Sequence, residues 1–234
     1  MSVLLLAQGD PEAKTLLRQA IEARYGLQPP VIESLQIGFK GRARAKVGPV
    51  TSWVPVEAAA HFRFPLAMRW DFSVRPLGVP VAKGAEAFDG SAYRTLRGGR
   101  PDVIADSEQV SSVRRRLWAV AALLLTPIGE RFVKLTSLAE NSFSATNTQL
   151  NDAVHLVFRP DRTLDRVEVE CLNPDNARLQ KFSLRLSNEQ APLNGLMLPR
   201  MISAFWDDEP YYQVEPTRAE SNPQIADAVF TLQA

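Results

Sequence analysis

The 234-residue chain has little of the material from which many enzymes build reactive sites. It contains one cysteine, Cys171, and two histidines, His61 and His155. A lone cysteine excludes an intramolecular disulfide framework and any zinc or iron–sulfur site built from several cysteines. The HExxH, CxxC, GxSxG and GxGxxG patterns are also missing. We therefore expect no cofactor, no metal and no enzymatic activity.

The chain also lacks an excess of charge of either sign. Its 27 lysines and arginines balance 26 aspartates and glutamates, for a formal net charge of +1. Many nucleic-acid-binding domains are strongly basic, and many disordered chains are highly charged. We therefore expect a folded protein without a nucleic-acid partner. No apolar run reaches the roughly 18 residues that a membrane-spanning helix needs.

The first seven residues, Met1 to Ala7, form a short apolar segment followed at once by polar residues. The segment resembles the end of a secretory signal peptide, but it lacks a basic start and is short for an apolar core. We interpret residues 1–9 as a signal-peptide remnant or a disordered N-terminus, and residues 10–234 as a single domain. The first reading places the protein in the periplasm or cell envelope. The second, with Met1 as the true start, places it in the cytoplasm.

Two segments have the pattern of amphipathic helices. Residues Glu12 to Tyr25 carry apolar side chains near the 3.6-residue period, and Asp10 precedes them as a candidate N-cap. Residues Ser111 to Leu125 carry a second apolar stripe, with Ser111 or Ser112 as the candidate N-cap. The sequence therefore predicts two helices.

Most of the remaining chain alternates apolar and polar residues with a period of two. In Met68 to Arg75, for example, every second side chain is apolar, and residues 35–39, 167–171 and 182–186 repeat the pattern. Asp-Gly and Asn-Gly pairs separate such segments. We therefore predict a mainly β, α+β domain whose strands have one face in a core and one in water.

Two helices are too small to cover a sheet of this size. About ten strands, spaced about 4.8 Å apart and about 20 Å long, present an apolar face on the order of 1,000 Å². Two helices cover about 400 Å². Either a second sheet covers the rest, or one sheet curls around the helices. A curled sheet leaves an apolar concavity, which side chains fill or a long apolar ligand occupies.

The order of elements and several short motifs resemble the LolA-like lipoprotein-carrier superfamily, including its outer-membrane lipoprotein-sorting-type members. The motifs are residues 87–90 in a hairpin, a helix ending at Thr126-Pro127, residues 193–199 opening a late strand, and residues 222–230 near the C-terminus. The resemblance implies a large curved antiparallel sheet that forms a half-barrel, with two helices covering its concave face. It also implies a hydrophobic cavity for acyl chains in a periplasmic protein. It assigns no functional residue to a position in this chain.

Aromatic residues on the apolar phase of their segments are the candidate cavity wall. Such side chains dominate packed cores, and they also line apolar ligand pockets. Both readings stay open for the eight candidates: Phe39, Phe62, Phe64, Trp70, Phe72, Trp118, Phe158 and Phe182.

Two groups of basic residues are candidate surface features. Lys40, Arg42, Arg44 and Lys46 lie on one face of one strand. They form either a solvated outer face or a surface that docks on anionic head groups or an acidic partner. We interpret the basic run 114–116, at the start of the second helix, as a solvated face.

These features support one main functional hypothesis and two alternatives. The main hypothesis is a monomeric, non-enzymatic protein that binds or carries a lipid or lipoprotein acyl chain in a half-barrel cavity. The first alternative is a scaffold or sensor module of an envelope complex, with a filled core and a surface that contacts a membrane or an envelope protein. The second is a hydrolase that uses acids such as Asp71 or Asp89, for which the sequence offers no motif.

Overall fold

A computed structural model describes residues 5–47, 50–75, 82–96 and 101–232. Within these ranges the chain forms two α-helices, α1 (Pro11–Tyr25) and α2 (Ser107–Leu123), and short 3₁₀ helices at Thr126–Gly129 and Asp227–Thr231. The strands are β1 (Gln8–Gly9), β2 (Ser34–Val47), β3 (Val50–Arg63), β4 (Ala67–Val74), β5 (Ala82–Phe88), β6 (Tyr93–Leu96), β7 (Asp102–Ile104), β8 (Val133–Ala139), β9 (Ser142–Asn147), β10 (Asp152–Phe158), β11 (Leu164–Leu172), β12 (Leu179–Leu186), β13 (Gln190–Leu193), β14 (Leu196–Pro199), β15 (Ile202–Trp206) and β16 (Glu209–Ser221).

Fourteen of these strands form one sheet, in the order β1-β8-β9-β10-β11-β12-β15-β16-β2-β3-β4-β5-β6-β7. Strands β13 and β14 pair as a separate hairpin. The pair β1–β8 is parallel, and the other neighbouring pairs in the described chain are antiparallel. The sheet is curved but not closed into a barrel.

The sheet curls around α2. This helix contacts β10, β11 and β12, and it also contacts β6, although six strands lie between β12 and β6 in the sheet. A flat sheet could not reach one helix from both of these regions, because neighbouring strands lie about 4.8 Å apart. The prediction of a half-barrel with helices on its concave face is therefore confirmed.

Helix α1 packs beside the end of α2. Its Arg24 guanidinium donates a hydrogen bond to the Leu123 carbonyl, and its Tyr25 hydroxyl donates to the Leu124 carbonyl over 3.1 Å. Both acceptors belong to the C-terminal turn of α2, where carbonyl groups lack partners within the helix. These two bonds join the helices at one end of the half-barrel.

The predicted N-cap position is confirmed for α1 and is wrong for α2. Helix α2 begins four residues earlier than Ser111, because the Asp106 carboxylate accepts a hydrogen bond from the Gln109 N–H over 2.8 Å and caps the helix. Asp10 occupies the N-cap position of α1, but its carboxylate accepts from the Ser137 N–H over 2.8 Å instead of capping the helix. The sequence could not show that Asp10 binds Ser137, because the two residues are 127 positions apart and only the fold brings them together.

The register of the sheet confirms the alternation of buried and exposed residues. In β2, Leu35, Ile37 and Phe39 are buried and face α2, and Phe62 of β3 lies directly opposite Leu35. Gln36, between Leu35 and Ile37, is only half-buried, and Lys40, which follows Phe39, is exposed on the convex face. The core therefore lies between the concave face of the sheet and the two helices.

The segments near both chain ends pack against the domain. Gln8 and Gly9 form the parallel strand β1, and the N–H groups of Leu6 and Ala7 both donate to the Gly129 carbonyl over 2.8 Å. The part of the N-terminal prediction that concerns residues 1–4 lies outside the described residues. Near the other end, Phe230 is buried.

Candidate ligand-binding site

The space between α2 and the sheet is almost filled. Side chains from the helix and the sheet leave a cavity of about 40 Å³ between them in the described chain. A cavity of this volume holds about one or two water molecules. An acyl chain does not fit into this volume. The cavity is lined by Leu35, Ile37, Phe39, Phe62, Trp70, Val120, Leu123, Leu124, Leu184, Leu198, Ile202, Tyr212 and Val214.

A much larger space lies at one end of the half-barrel, and we call it the end cleft. Its volume is about 460 Å³, and its walls come from the segment before β1, α1, the α1–β2 loop, the β3–β4 turn, α2 and the segment between α2 and β8. The lining residues are Leu5, Leu6, Ile21, Pro29, Pro30, Val31, Ile32, Glu33, Arg63, Phe64, Pro65, Trp118, Thr126, Pro127, Gly129, Glu130 and Phe132. Most of these side chains are apolar, as is typical of small-molecule sites.

Backbone hydrogen bonds from distant parts of the chain hold the walls of the end cleft in place. The Phe64 N–H donates to the Glu33 carbonyl over 2.9 Å, which fixes the β3–β4 turn beside the α1–β2 loop. The Trp118 indole N–H donates to the Ala145 carbonyl over 3.0 Å, which fixes the ring against the sheet. Leu6 and Val31 are 44% and 68% exposed, so apolar surface continues from the cleft to the solvent.

Four polar side chains line the end cleft. The Arg63 guanidinium pairs with the Asp227 carboxylate over 2.6 Å. The Glu33 and Glu130 carboxylates have no ion-pair or hydrogen-bond partner among the described residues, and both side chains are exposed. The Thr126 hydroxyl oxygen is buried and also has no hydrogen-bond partner there. The cleft therefore has two carboxylates without a partner and, behind its surface, one buried hydroxyl without a partner.

The structure divides the eight predicted wall residues among several places. Phe64 and Trp118 line the end cleft, whereas Phe39, Phe62 and Trp70 line the small interior cavity. The two groups are neighbours, because the rings of Phe62 and Phe64 stack with their centroids 5.6 Å apart.

The other three predicted wall residues pack against neighbours in the sheet. The Phe72 ring lies over Gly84, so close that a Cβ at that glycine would be 2.4 Å from the ring. Phe158 stacks on Phe143 at 5.3 Å, and Phe182 packs on Trp206 at 4.8 Å, measured between ring centroids. Phe158 and Phe182 line neither the end cleft nor the interior cavity.

The predicted docking surface lies on the convex face of β2. Lys40 pairs with Glu215 at 3.8 Å, and Arg42 donates to the Gln213 side-chain oxygen over 2.9 and 2.6 Å. Arg42 and Arg44 also lie over the Trp53 ring, at 4.6 and 5.8 Å from its centroid. Lys46 is exposed. Neighbouring side chains therefore hold part of this stripe in place.

A groove of about 680 Å³ lies next to this stripe and has a different character from the end cleft. Its floor includes the small residues Gly38, Ala59 and Ala85, and its rim carries charges of both signs, among them Lys83 and Asp71. The groove is wide and open, so it buries less of any ligand than the end cleft does.

The basic run at the start of α2 is not a solvated face, and the interpretation made from the sequence is wrong. Arg114 pairs with Asp152, whose side chain is 1% exposed. Arg116 reaches into the half-barrel, where it lies 3.3 Å from the Glu86 carboxylate and 3.4 Å from the Tyr93 hydroxyl. Burial, and then the nearby Glu86 carboxylate, raise the pKa of Tyr93 to about 12.

The sequence carried only a weak signal for this polar cluster. Gly84, Glu86 and Phe88 share one face of β5, so an acid interrupts the buried face. The opposite face carries Ala85 and Ala87, which are apolar and also buried. Alternation therefore could not show which face of β5 points toward α2.

The acids of the hydrolase alternative have other structural roles. The Asp71 carboxylate accepts two hydrogen bonds from Arg69, over 2.7 and 2.8 Å. Asp89 accepts bonds from Ser91, Ala92 and Arg94 and so closes the β5–β6 turn. Over the described ranges, no group of three or more histidine, cysteine, aspartate or glutamate side chains could hold a metal ion. The same ranges contain no helix that is long and apolar enough to cross a membrane.

Comparisons with known proteins give similarity in three-dimensional structure but not in sequence. No family model and no curated protein matches the chain. A LolA superfamily protein from Nitrosomonas europaea has a TM-score of 0.49 and 12% identity, covering 93% of this chain and 96% of that one. A DUF1329 family protein from Desulfovibrio piger has a TM-score of 0.48 and 12% identity, covering 97% and 100%. An outer membrane lipoprotein-sorting protein domain from Vibrio parahaemolyticus has a TM-score of 0.48 and 8% identity, covering 94% and 96%. One of these structural neighbours is thus a protein of the superfamily that the sequence resembles.

Proposed function

We propose that this protein binds and carries an acyl chain of a lipid or lipoprotein without catalysing a reaction, and that the chain enters at the end cleft. The observation that carries the proposal is the cleft itself, with its mostly apolar wall and its volume of about 460 Å³. Ligand pockets typically measure about 300–1,000 Å³ and are mostly apolar with a few polar groups. The cleft meets both criteria.

Burial of methylene groups supplies the affinity in this proposal. Each methylene removed from water contributes about 0.8 kcal/mol, so ten of them contribute about 8 kcal/mol. Association itself costs at least about 4 kcal/mol. The remaining affinity is weak enough for the ligand to pass to an acceptor that holds it more tightly. No energy source is needed in the carrier.

A chain longer than the cleft has to continue between α2 and the sheet. The stacked pair Phe62 and Phe64 connects the cleft wall to the wall of the interior cavity. In the proposal, Phe64 and Trp118 contact the ligand first, and movement of α2 admits the chain to the filled interior. Phe72, Phe158 and Phe182 stay predictions as deeper parts of the wall.

The proposed compartment is the periplasm or cell envelope, as the sequence resemblance to lipoprotein carriers implies. The proposed donor or acceptor is a membrane surface or an envelope protein, and the carrier acts as a monomer. Cell fractionation with an antibody against the chain tests the compartment. Recovery of the protein only with cytoplasmic markers would overturn that part of the proposal.

Calorimetric titration with monolaurin, a neutral C12 acyl ester, tests the proposed site. Leu6→Asn/Val31→Asn makes two exposed parts of the cleft wall polar, and we expect monolaurin affinity to fall at least tenfold, about 1.4 kcal/mol. The matched control is Val103→Asn/Leu179→Asn, which changes two similarly exposed residues outside the cleft, 62% and 64% exposed. We expect wild-type affinity from the control. A wild-type protein that does not bind monolaurin, and that carries no lipid in native mass spectra, would overturn the proposal.

The almost filled interior also favours a second candidate function, a module that acts through its surface. In that case Lys40, Arg42, Arg44 and Lys46 contact anionic head groups or an acidic partner. Lys40→Glu/Lys46→Glu reverses two exposed charges of the stripe. Loss of sedimentation with vesicles rich in phosphatidylglycerol, together with no monolaurin binding by the wild type, would favour this function over the carrier.

A further inference from the structure

The charges at the rim of the end cleft suggest which acyl compounds it accepts. Three charged residues line the cleft: Glu33, Arg63 and Glu130. Arg63 already pairs with Asp227 over 2.6 Å and donates to the Ile225 carbonyl over 2.5 Å. Its charge is therefore balanced before any ligand arrives. The two glutamates have no such partner among the described residues.

Two carboxylates at the cleft, those of Glu33 and Glu130, are therefore not paired with a cation of the described chain. Arg131 follows Glu130 in the chain, but it does not line the cleft. An anionic head group at the entrance would lie near two uncompensated carboxylates, and like charges repel most strongly at low ionic strength. A cationic head group in the same place would be attracted by both carboxylates.

The wall of the cleft also contains a polar group that lacks a partner. The Thr126 hydroxyl oxygen is buried and has no hydrogen-bond partner in the described chain. A buried hydroxyl without a partner is unfavourable, and a ligand atom that accepts its proton would remove that cost. The carbonyl of an ester or amide is such an acceptor, and an alkyl ether is a much weaker one.

Resting on the proposed function, we propose that the end cleft selects acyl chains joined through an ester or amide to an uncharged or cationic head group. Once the entering chain displaces the side chains that bury it, the Thr126 hydroxyl donates to the ester or amide carbonyl, while Glu33 and Glu130 attract a cationic head group and disfavour a carboxylate or phosphate. Free fatty acids and anionic phospholipids are thus poor ligands.

The head-group part of the proposal is tested with three C12 ligands that share one chain. Calorimetric titrations at low ionic strength, below the micelle concentrations, compare lauroylcholine, monolaurin and laurate. We expect lauroylcholine to bind at least as tightly as monolaurin, and about tenfold more tightly than laurate. Glu33→Gln/Glu130→Gln should reduce that preference to about twofold. The matched control Glu209→Gln/Glu220→Gln changes two exposed glutamates outside the cleft and should keep the wild-type preference.

The carbonyl part is tested by comparing monolaurin with 1-dodecylglycerol, which has an ether in place of the ester. The wild type should prefer the ester by about fivefold. Thr126→Val keeps the shape of the side chain but loses its hydroxyl, so the preference should disappear, and Thr126→Ser should retain it. Equal binding of the ester and the ether by the wild type would overturn this part.

The two proposals fail in different ways. If laurate binds as tightly as lauroylcholine, the selectivity is wrong, although acyl binding at the cleft stands. If none of the four C12 compounds binds, acyl binding itself is wrong and the selectivity falls with it.

Discussion

Arg116 of α2 and Glu86 of β5 meet inside the half-barrel, with the guanidinium Nη2 and the carboxylate Oε2 3.3 Å apart. Each side chain is only 14% exposed. The pair joins the helix to β5, which six strands separate from β11 in the sheet, and α2 also packs on β10 and β11. It therefore holds α2 across the open side of the curved sheet.

Removing one partner of this pair should destabilise the protein strongly. Glu86→Gln leaves the buried Arg116 charge unpaired, and we expect the free energy of unfolding in urea to fall by about 3 kcal/mol. Glu86→Leu/Arg116→Met, which removes both charges, should recover most of that loss. The control Glu215→Gln removes the partner of Lys40 in an exposed pair and should cost less than about 1 kcal/mol. A Glu86→Gln protein as stable as the wild type would show that the pair does not hold the helix.

Gly41 of β2 lies opposite Val214 of β16, and a side chain at this glycine should not fit. A Cβ at this position would be 2.0 Å from the Gln213 carbonyl oxygen, a backbone atom that cannot move away. We expect Gly41→Ala to lower the free energy of unfolding by about 2 kcal/mol. In Gly38→Ala, on the same strand, the nearest atoms belong to the side chains of Arg218 and Thr217, which can move. Thermal unfolding should separate the two variants, and equal stability would contradict the steric argument.

Asp89 should make stability depend on pH in the acid range. Desolvation acts to raise the pKa of this carboxyl, but hydrogen bonds from Ala92, Arg94 and Ser91 outweigh it, so the pKa lies below its usual range. Its contribution to stability is therefore complete above the unfolded pKa of about 4, and it is lost as the pH falls toward the folded pKa.

The test compares the free energy of unfolding at pH 7 and pH 3. Wild type should lose more stability over this interval than Asp89→Asn, which has no carboxyl to titrate at this position. Asp102→Asn, in an exposed part of β7, should behave as wild type does. An equal loss in wild type and Asp89→Asn would refute the role of this turn.

Cys171 should be unreactive in the folded protein. Its side chain is buried, and burial raises the pKa of the thiol to about 11, so little thiolate exists at pH 8. We expect no reaction with a disulfide reagent such as DTNB at pH 8 until the chain unfolds. Because this is the one cysteine of the sequence, the signal has a single source, and a urea-unfolded sample is the control. Rapid labelling of the native protein would mean that α2 already opens without a ligand.

The local pattern of the sequence was sufficient to predict both helices and the strands in which apolar and polar residues alternate. Alternation in residues 68–75 and the apolar stripe of α2 each depend on neighbours within a few positions, so their periods are visible in the chain. The start of α2 was misplaced because Ser111, Ser112 and Asp106 are all good N-cap residues, and their local sequence does not show which one caps.

The chain by itself determined that most strands have one buried face and that two helices are too small to cover them. Only the tertiary structure decided where the free space lies. Side chains fill the interior because α2 carries Leu117, Val120 and Leu123 into the core, so the larger cleft lies at the end, where loops meet. Such a place depends on contacts between residues as distant as Leu6 and Gly129. For the same reason the sequence could not show that Arg114 pairs with Asp152 and Arg116 with Glu86. A charge can be buried only where the fold brings an opposite charge to it.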